Sequence, residues 1–141
     1  MKHTVSIAVI LAVLISLSSA CFAQGEQATI SPRYAYINSC SYSLSISSAG
    51  VATCTAACNA SSTAYKVRVN CYYQYYNSNK WSSFKFWSDT DFLQASVNEQ
   101  ANTISGITNY RLKAVFTIYD SAGNQLETAT YYDYATYIPS N

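Results

Sequence analysis

Apolar and polar residues alternate with a period of two along most of the chain after residue 40. This alternation is typical of β-strands that bury one face and expose the other. The first clear run is 41–47, in which Tyr42, Leu44 and Ile46 alternate with serines. The pattern predicts strands over 41–47, 51–58, 64–76, 81–88, 110–119 and 126–134.

The segment 89–100 is harder to interpret, because Phe92, Leu93, Ala95 and Val97 would also suit one side of a helical turn. We expect a loop followed by a short strand, since every neighbouring segment is β. With this strand the chain holds about seven short strands separated by turn-forming residues. That pattern predicts an all-β fold, a single Ig-like or fibronectin type III-like β-sandwich.

The alternation also predicts which side chains of the two clearest strands are buried. The inward residues are expected to be Tyr65, Val67, Val69, Cys71, Tyr73 and Tyr75 in the first, and Tyr110, Leu112, Ala114, Phe116 and Ile118 in the second. The outward residues are expected to be Lys66, Arg68, Asn70, Tyr72, Gln74 and Tyr76 in the first, and Arg111, Lys113, Thr117 and Tyr119 in the second.

Residues 104–110 resemble the corner that joins strands E and F in fibronectin type III domains. Ile104, Gly106 and Thr108 precede Tyr110, with which the next strand begins. In that corner the tyrosine ring is buried, and its hydroxyl bonds to the backbone of the corner. The resemblance implies that Tyr110 is a structural residue.

The first 23 residues have the organisation of a secretory signal peptide. A short basic start precedes the apolar run 5–17, which is too short for a stable membrane span, and no later segment is long and apolar enough to serve as an anchor. Small residues favour cleavage before Gln24, while cleavage before Cys21 would make the protein a lipoprotein. We expect a secreted protein with a signal peptide over 1–23, a leader over 24–37 and a β-sandwich domain over 38–141.

Four cysteines follow the signal peptide: Cys40, Cys54, Cys58 and Cys71. An even number in a short exported chain predicts two disulfides, with free buried thiols as the alternative. Cys54 and Cys58 would lie about 13 Å apart on one extended strand, too far to bond. If 48–50 is a three-residue hairpin loop, Cys40 lies opposite Cys58. The spacing then favours the pairs Cys40–Cys58 and Cys54–Cys71.

The composition excludes several chemistries for the segment 24–141. Only 11% of the residues are charged, against about 25% in an ordinary domain, and the one histidine is His3. Without histidine, a Ser-His-Asp or Cys-His arrangement and a histidine zinc site cannot be built there. The sequence also has no glycine-rich phosphate loop. We therefore expect no enzyme activity, no cofactor and no metal.

The charged residues point to no ionic partner. The formal net charge of +1 argues against nucleic acid, which needs clustered lysines and arginines. Asp89 and Asp91 lie two residues apart in a predicted loop, where their oxygens would suit Ca²⁺. Only Glu99 is close to them in the sequence, so a solvated loop is the favoured interpretation.

Tyrosine is the residue in excess, with 14 in the chain. Tyr72, Tyr76 and Tyr119 fall on outward positions beside Lys66 and Arg68. Such rings can stack on sugars or contact a protein, or they can form cross-strand pairs that only stabilise the sheet. We predict an extracellular binding module for a glycan or a surface protein. The alternatives are a self-associating matrix or envelope protein and a small secreted toxin or inhibitor.

A resemblance to known proteins runs through five segments: ISPRYAYI at 30–37, SLSIS at 43–47, GVATC at 50–54, WSSFKFWS at 81–88 and YRLKA at 110–114. In this order they resemble a family of small, uncharacterised secreted proteins from Gram-positive gut bacteria. The resemblance implies export and an all-β domain, and it offers no catalytic residue. This chain departs from the family by its tyrosine content and by Cys40, Cys58 and Cys71.

Overall fold

The computed structural model describes residues 34–139. The predicted signal peptide, with Cys21, and residues 24–33 of the predicted leader lie outside this range. The described chain forms seven strands, as the alternation predicts: β1 (Ile37–Ile46), β2 (Val51–Ala60), β3 (Lys66–Asn77), β4 (Lys80–Phe92), β5 (Gln94–Asn102), β6 (Asn109–Tyr119) and β7 (Gln125–Thr136).

The strands form two antiparallel sheets, one in the order β1-β2-β5 and the other in the order β4-β3-β6-β7. The two sheets pack face to face over a single core, so the predicted all-β sandwich is confirmed. Within residues 34–139, no helix has the length and apolar character needed to cross a membrane.

The β1–β2 hairpin fixes the relative position of two cysteines. Its three-residue loop, 48–50, closes where the backbone N–H of Ser47 donates to the carbonyl of Val51 at 2.9 Å. Counting back from this pair, the register places Cys40 opposite Cys58. The predicted loop and the predicted register are both confirmed.

Between β4 and β5 the chain passes from one sheet to the other through a single residue, Leu93. This residue has a φ of 58°, in the left-handed region that non-glycine residues rarely adopt, and its carbonyl accepts the N–H of Ala60 at 2.8 Å. β4 continues to Phe92, and β5 begins at Gln94. The loop predicted at the start of 89–100 is therefore wrong, because β4 stays paired with β3, and β5 with β2.

The inward faces of both sheets form the core. Tyr73, Tyr110 and Phe116 are its largest fully buried side chains, and the rings of Tyr73 and Tyr110 stack with centroids 5.4 Å apart. Three burial predictions are wrong. Tyr65 precedes β3 and is 49% exposed against the ring of Phe92, while Gln74 and Thr117 lie on the outer face as predicted but are buried there by their neighbours. Of the other predicted inward residues of these strands, Tyr75 is half-buried and the following are buried: Val67, Val69, Cys71, Leu112, Ala114 and Ile118.

The four cysteines are buried free thiols in this structure. The Sγ atoms of Cys40 and Cys58 are 3.3 Å apart, well beyond the ~2.05 Å of an S–S bond. The predicted disulfides are therefore not formed here, although the first predicted pair is adjacent. Burial raises the pKa of Cys54 to about 12, with a contribution from the charge of Cys71, and burial also raises the pKa of Cys71 to about 12.

Carboxylates connect the sheets on the side of the sandwich where β1 lies beside β7. Glu127 accepts hydrogen bonds from three successive backbone N–H groups, those of residues 35–37, at 3.0 to 3.1 Å. Asp133 accepts the N–H of Leu44 at 2.7 Å. These contacts occupy N–H groups that an edge strand would otherwise offer to a strand of another chain.

Candidate functional site

The outer face of the four-stranded sheet carries the candidate site. Residues of β4, β3, β6 and β7 lie side by side on this face, in rows set by the strand register. Successive rows are roughly 7 Å apart, because every second residue of a strand points to the same face. Each row names one residue of β4, β3, β6 and β7 in that order, beginning next to the end where Trp81 pairs with Tyr76. The rows are Ser83, Gln74, Arg111 and Tyr134; Phe86, Tyr72, Lys113 and Tyr132; Ser88, Asn70, Val115 and Thr130; Thr90, Arg68, Thr117 and Thr128; and Phe92, Lys66, Tyr119 and Gln125.

Charge is divided unevenly between the two faces of this sheet, although Lys85 of β4 lies opposite the inward Tyr73. Lys66, Arg68, Arg111 and Lys113 all lie on the outer face. The acidic residues of the same strands lie at inward positions instead, so the outer face carries four cations and no carboxylate among its described residues. The register sets these inward positions by placing Asp89 opposite Val69, Asp91 opposite Val67, Glu127 opposite Ile118 and Asp133 opposite Leu112.

Aromatic rings from opposite edges of the sheet meet over the outer face. Trp81 belongs to β4 and Tyr134 to β7, so three strand spacings, roughly 14 Å, separate their backbones. Their ring centroids are nevertheless 5.8 Å apart, in an edge-to-face arrangement, and Tyr76 packs on Trp81 at 5.1 Å. The rings therefore lie across β3 and β6. We call Tyr76, Trp81, Arg111, Tyr132 and Tyr134 the Trp81 cluster.

Three rings of the Trp81 cluster, those of Tyr76, Trp81 and Tyr134, line an open groove of about 380 Å³, a volume within the range of small-molecule sites. The rings of Tyr76 and Tyr134 are 40% and 60% exposed. Polar groups come from Asn109 and Thr136, whose side chains are hydrogen-bonded at 3.3 Å. The groove thus combines exposed ring faces with an amide and a hydroxyl. Its full lining is Tyr76, Trp81, Asn109, Tyr110, Tyr134, Ala135 and Thr136.

Arg111 does not line the groove itself, but rings and a fixed amide hold it against Trp81, which does. Its guanidinium carbon lies 4.4 Å from the ring centroid of Trp81 and 4.6 Å from that of Tyr132. Its Nε–H donates to Oε1 of Gln74 at 2.7 Å, and Gln74 in turn donates to Oγ of Ser83 at 2.7 Å. Since Gln74 is itself buried, this chain fixes the plane of the guanidinium. The N–H groups on Nη1 and Nη2 donate to none of the residues that the structure describes.

The five residues predicted to bind a partner all lie on the outer face, but not in one place. The Nζ of Lys66 and the Cζ of Arg68 lie 5.2 and 5.3 Å from the ring centroid of Tyr119. Tyr72 lies six residues along β3 from Lys66, which is roughly 20 Å. Tyr76 belongs to the Trp81 cluster. The structure therefore places Lys66, Arg68 and Tyr119 at one end of the face, Tyr76 at the other end, and Tyr72 between them.

Tyr72 forms a cross-strand pair in the middle of the outer face. Its ring packs on that of Phe86 with centroids 4.9 Å apart, and the Nζ of Lys113 lies 5.4 Å from its centroid. Such a pair stabilises the sheet whether or not a ligand binds. Tyr72 is therefore a weaker binding candidate than the rings of the Trp81 cluster.

Sequence reasoning missed the importance of Trp81, Arg111 and Tyr134. The period-two pattern of 81–88 is irregular, because the pairing of β3 with β4 shifts register between Tyr73 and Gln74. In the β6–β7 hairpin the turn closes Tyr119 on Gln125, and a register shift between Ile118 and Tyr119 brings Tyr134 rather than Asp133 opposite Arg111, so counting from the turn alone would misplace Tyr134.

Tyr110 anchors the end of β6 that reaches the groove. Its ring is fully buried, and its hydroxyl accepts the N–H of Ile104 at 2.9 Å. The same hydroxyl lies within donating distance of the carbonyls of Ile104, at 3.1 Å, and Ile107, at 3.2 Å. This is the geometry expected from the corner motif in the sequence. Burial raises the pKa of the Tyr110 hydroxyl, so it remains protonated as a donor.

Asp89 and Asp91 border a separate groove of about 230 Å³. The Asp89 carboxylate accepts the N–H of Ser96 at 2.9 Å, and that of Asp91 accepts the N–H of Phe92 at 2.7 Å. Among residues 34–139, no group of three or more His, Cys, Asp or Glu side chains is arranged to hold a metal ion. Both carboxylates serve as hydrogen-bond acceptors for the backbone, and they lie in a strand rather than in the predicted loop.

Comparisons with protein-family models, with curated proteins and with solved structures find no match to this chain. The function is therefore inferred from the chemistry of the outer face. Its exposed rings, its fixed guanidinium and its amide and hydroxyl groups are the groups with which proteins recognise ligands.

Proposed function

We propose that the protein is a secreted, non-catalytic binding module that holds an extracellular glycan on the outer face, at the Trp81 cluster. The observation that carries this proposal is the meeting of Trp81 and Tyr134 over the sheet, beside a groove of about 380 Å³. Exposed aromatic surface of this kind costs solubility, and it commonly marks a binding site.

A sugar ring suits this surface for a chemical reason. A pyranose presents C–H groups on its flat faces and hydroxyls around its rim. The faces can stack on Tyr76, Trp81 and Tyr134, while the hydroxyls can bond to Asn109 and Thr136 at the edge of the groove. Sites that combine aromatic walls with a few fixed polar groups are typical for small ligands.

A purely structural role accounts for only part of the arrangement. Tyr76 and Trp81 are direct cross-strand neighbours, and such pairs stabilise a sheet by themselves. Trp81 and Tyr134 are not neighbours in this sense, because two strands lie between theirs. Their contact instead forms an aromatic surface along the groove. This arrangement supports ligand binding in addition to cross-strand stabilisation of the sheet.

We also propose that the protein is exported. The signal peptide predicted over 1–23 and the resemblance to small secreted proteins of Gram-positive gut bacteria support this. Export would bring the chain into an oxidising compartment. Ser47 and Val51 are a hydrogen-bonded pair, so the alternation along the hairpin makes Cys40 and Cys58 a non-hydrogen-bonded pair. The Cα separation at such a pair is about 4.5 Å, within the range that a disulfide spans.

The test is a glycan array probed with the protein secreted from its own signal peptide, followed by calorimetry on each glycan that binds. Trp81→Ala and Tyr134→Ala are expected to weaken binding at least tenfold, because stacking aromatics dominate such sites. Phe92→Ala is the matched control, since this ring is also exposed, at 58%, but lies at the opposite end of the face.

Three outcomes would count against the proposal. The first is an array without any bound glycan. The second is equal loss of affinity in all three variants. The third is a change in unfolding free energy without any change in binding. Reversible dimers or larger species in sedimentation, lost in Trp81→Ala, would instead make the same face a self-association surface.

A further inference from the structure

Among residues 34–139, the cations of the outer face have no acidic neighbour on that face. Arg111 and Lys113 lie two residues apart on β6, and both lie over aromatic rings. The carboxylate of Asp133, on the neighbouring strand, lies at an inward position opposite Leu112, and it bonds to the backbone of β1. The positive charges of Arg111, in the Trp81 cluster, and of Lys113, next to it, are therefore available to a ligand.

The guanidinium of Arg111 is prepared for an anion by its surroundings. The side-chain oxygen of Gln74 accepts the hydrogen bond from Nε–H and so fixes the plane of the guanidinium. The rings of Trp81 and Tyr132 lie against the guanidinium. The Nη groups offer parallel N–H donors, the arrangement that pairs with both oxygens of a carboxylate. Holding the side chain in advance lowers the entropy lost on binding.

We infer that the glycan is acidic, and that Arg111, assisted by Lys113, binds the carboxylate of a uronic acid residue whose ring lies on the Trp81 cluster. This inference rests on the proposed function and names the class of its ligand. A planar carboxylate matches the planar fork of a single arginine, and one uronic acid residue supplies one such group beside one sugar ring.

The test compares polymers that differ only in charge. Polygalacturonate, alginate and hyaluronate are titrated into the full secreted protein by calorimetry, each beside the same polymer with its carboxyls methyl-esterified. At least one uronate polymer is expected to bind, and its ester to bind at least tenfold more weakly, since a hydrogen bond between charged partners is lost. Affinity for the acidic form is also expected to fall with added salt, and that for the ester to stay constant.

Variants locate the charge on the protein. Arg111→Lys keeps the charge but removes the fork, and we expect it to weaken binding of the acidic polymer about tenfold, and by a larger factor than that of the ester. Lys113→Gln is expected to make the affinity for the acidic polymer less dependent on salt. This second variant tests the charge even if Arg111→Lys fails to fold. Lys66→Gln is the matched control, because Lys66 lies eight residues along β3 from Gln74, roughly 27 Å away.

The outcomes separate this inference from the proposed function. Equal binding of a polymer and its ester, or binding of neutral glycans alone, would overturn the acidic ligand and leave the glycan-binding module intact. Tighter binding of dextran sulfate, of a polyphosphate or of single-stranded DNA than of every uronate would overturn the carboxylate assignment. Absence of binding to any polysaccharide, acidic or neutral, would overturn both.

Discussion

Oδ2 of Asp133 lies 2.7 Å from the backbone nitrogen of Leu44, and this hydrogen bond joins β7 of one sheet to β1 of the other. The same side of the sandwich holds Glu127, whose carboxylate accepts the three N–H groups of residues 35–37. The inward acidic residues of β7 therefore have a structural role, while Lys66, Arg68, Arg111 and Lys113 lie on the outer face.

Removing the Asp133 carboxylate should destabilise the fold. Asp133→Ala leaves the N–H of Leu44 without its charged acceptor, so we expect the free energy of unfolding to fall by about 1–3 kcal/mol. Urea denaturation followed by circular dichroism measures this loss. Asp91→Ala is the control, because that carboxylate accepts only the N–H of its exposed neighbour Phe92; a loss of the same size there would contradict the assigned role.

The hydroxyl of Tyr110 should contribute to stability through the corner backbone. Tyr110→Phe keeps the buried ring but removes the partner of the Ile104 N–H, and we expect a cost of about 1–2 kcal/mol in thermal or chemical unfolding. Tyr65→Phe, at an exposed ring, is expected to change stability very little. If Tyr110→Phe leaves the free energy of unfolding unchanged, water replaces the hydroxyl as the partner of the Ile104 N–H, and the predicted contribution is wrong.

The reduced protein should lose stability at alkaline pH through its buried thiols. Cys54 and Cys71 have a pKa of 9.0 without perturbation and about 12 in the folded protein. Stability from the two thiols is therefore fully present below pH 9 and decreases as the pH rises towards 12, because only the unfolded chain can release these protons there.

The expected slope is about 1.4 kcal/mol per pH unit for each thiol above pH 9. Urea denaturation under reducing conditions, from neutral pH to about pH 11, measures it. The double variant Cys54→Ala, Cys71→Ala retains every tyrosine and serves as the reference. If the free energy of unfolding changes with pH in the same way in both proteins, the folded state does not raise the pKa of these thiols.

Oxidation should join Cys40 to Cys58. With oxidised glutathione as the oxidant, the two thiols are expected to form one disulfide, because their Sγ atoms are already 3.3 Å apart. Closing this loop is expected to add about 3 kcal/mol of stability. Non-reducing peptide mapping identifies the bond, and Cys58→Ala is the control. A peptide that links Cys54 to Cys58 would contradict the register of the first hairpin.

The fold was largely predictable, because the two faces of most strands differ strongly in polarity. In β6, Leu112, Phe116 and Ile118 alternate with polar residues and are all buried. The first hairpin was predictable to the residue, since its three-residue loop determines the register of Cys40 and Cys58. Local alternation and turn chemistry are enough for features of this kind.

The site was only partly predictable, because it depends on side chains that are distant in the sequence. The alternation places Tyr76 and Arg111 outward, but it does not show that Trp81 and Tyr134 meet across two intervening strands. That contact depends on the course of long side chains over the twisted sheet. The passage at Leu93 was missed for a related reason, since no glycine marks this change of direction.

The single-residue passage at Leu93 has a mechanical consequence. It joins β4 directly to β5, so on that side the two sheets are held together by the peptide chain itself. On the opposite side, where β1 lies beside β7, the carboxylates of Glu127 and Asp133 connect the sheets through four hydrogen bonds. A pulling force applied at residue 34 would therefore load the three bonds to Glu127 and the bond between Ser61 and Tyr36 before it reached that of Leu44, and the β1–β7 side of the sandwich would open first.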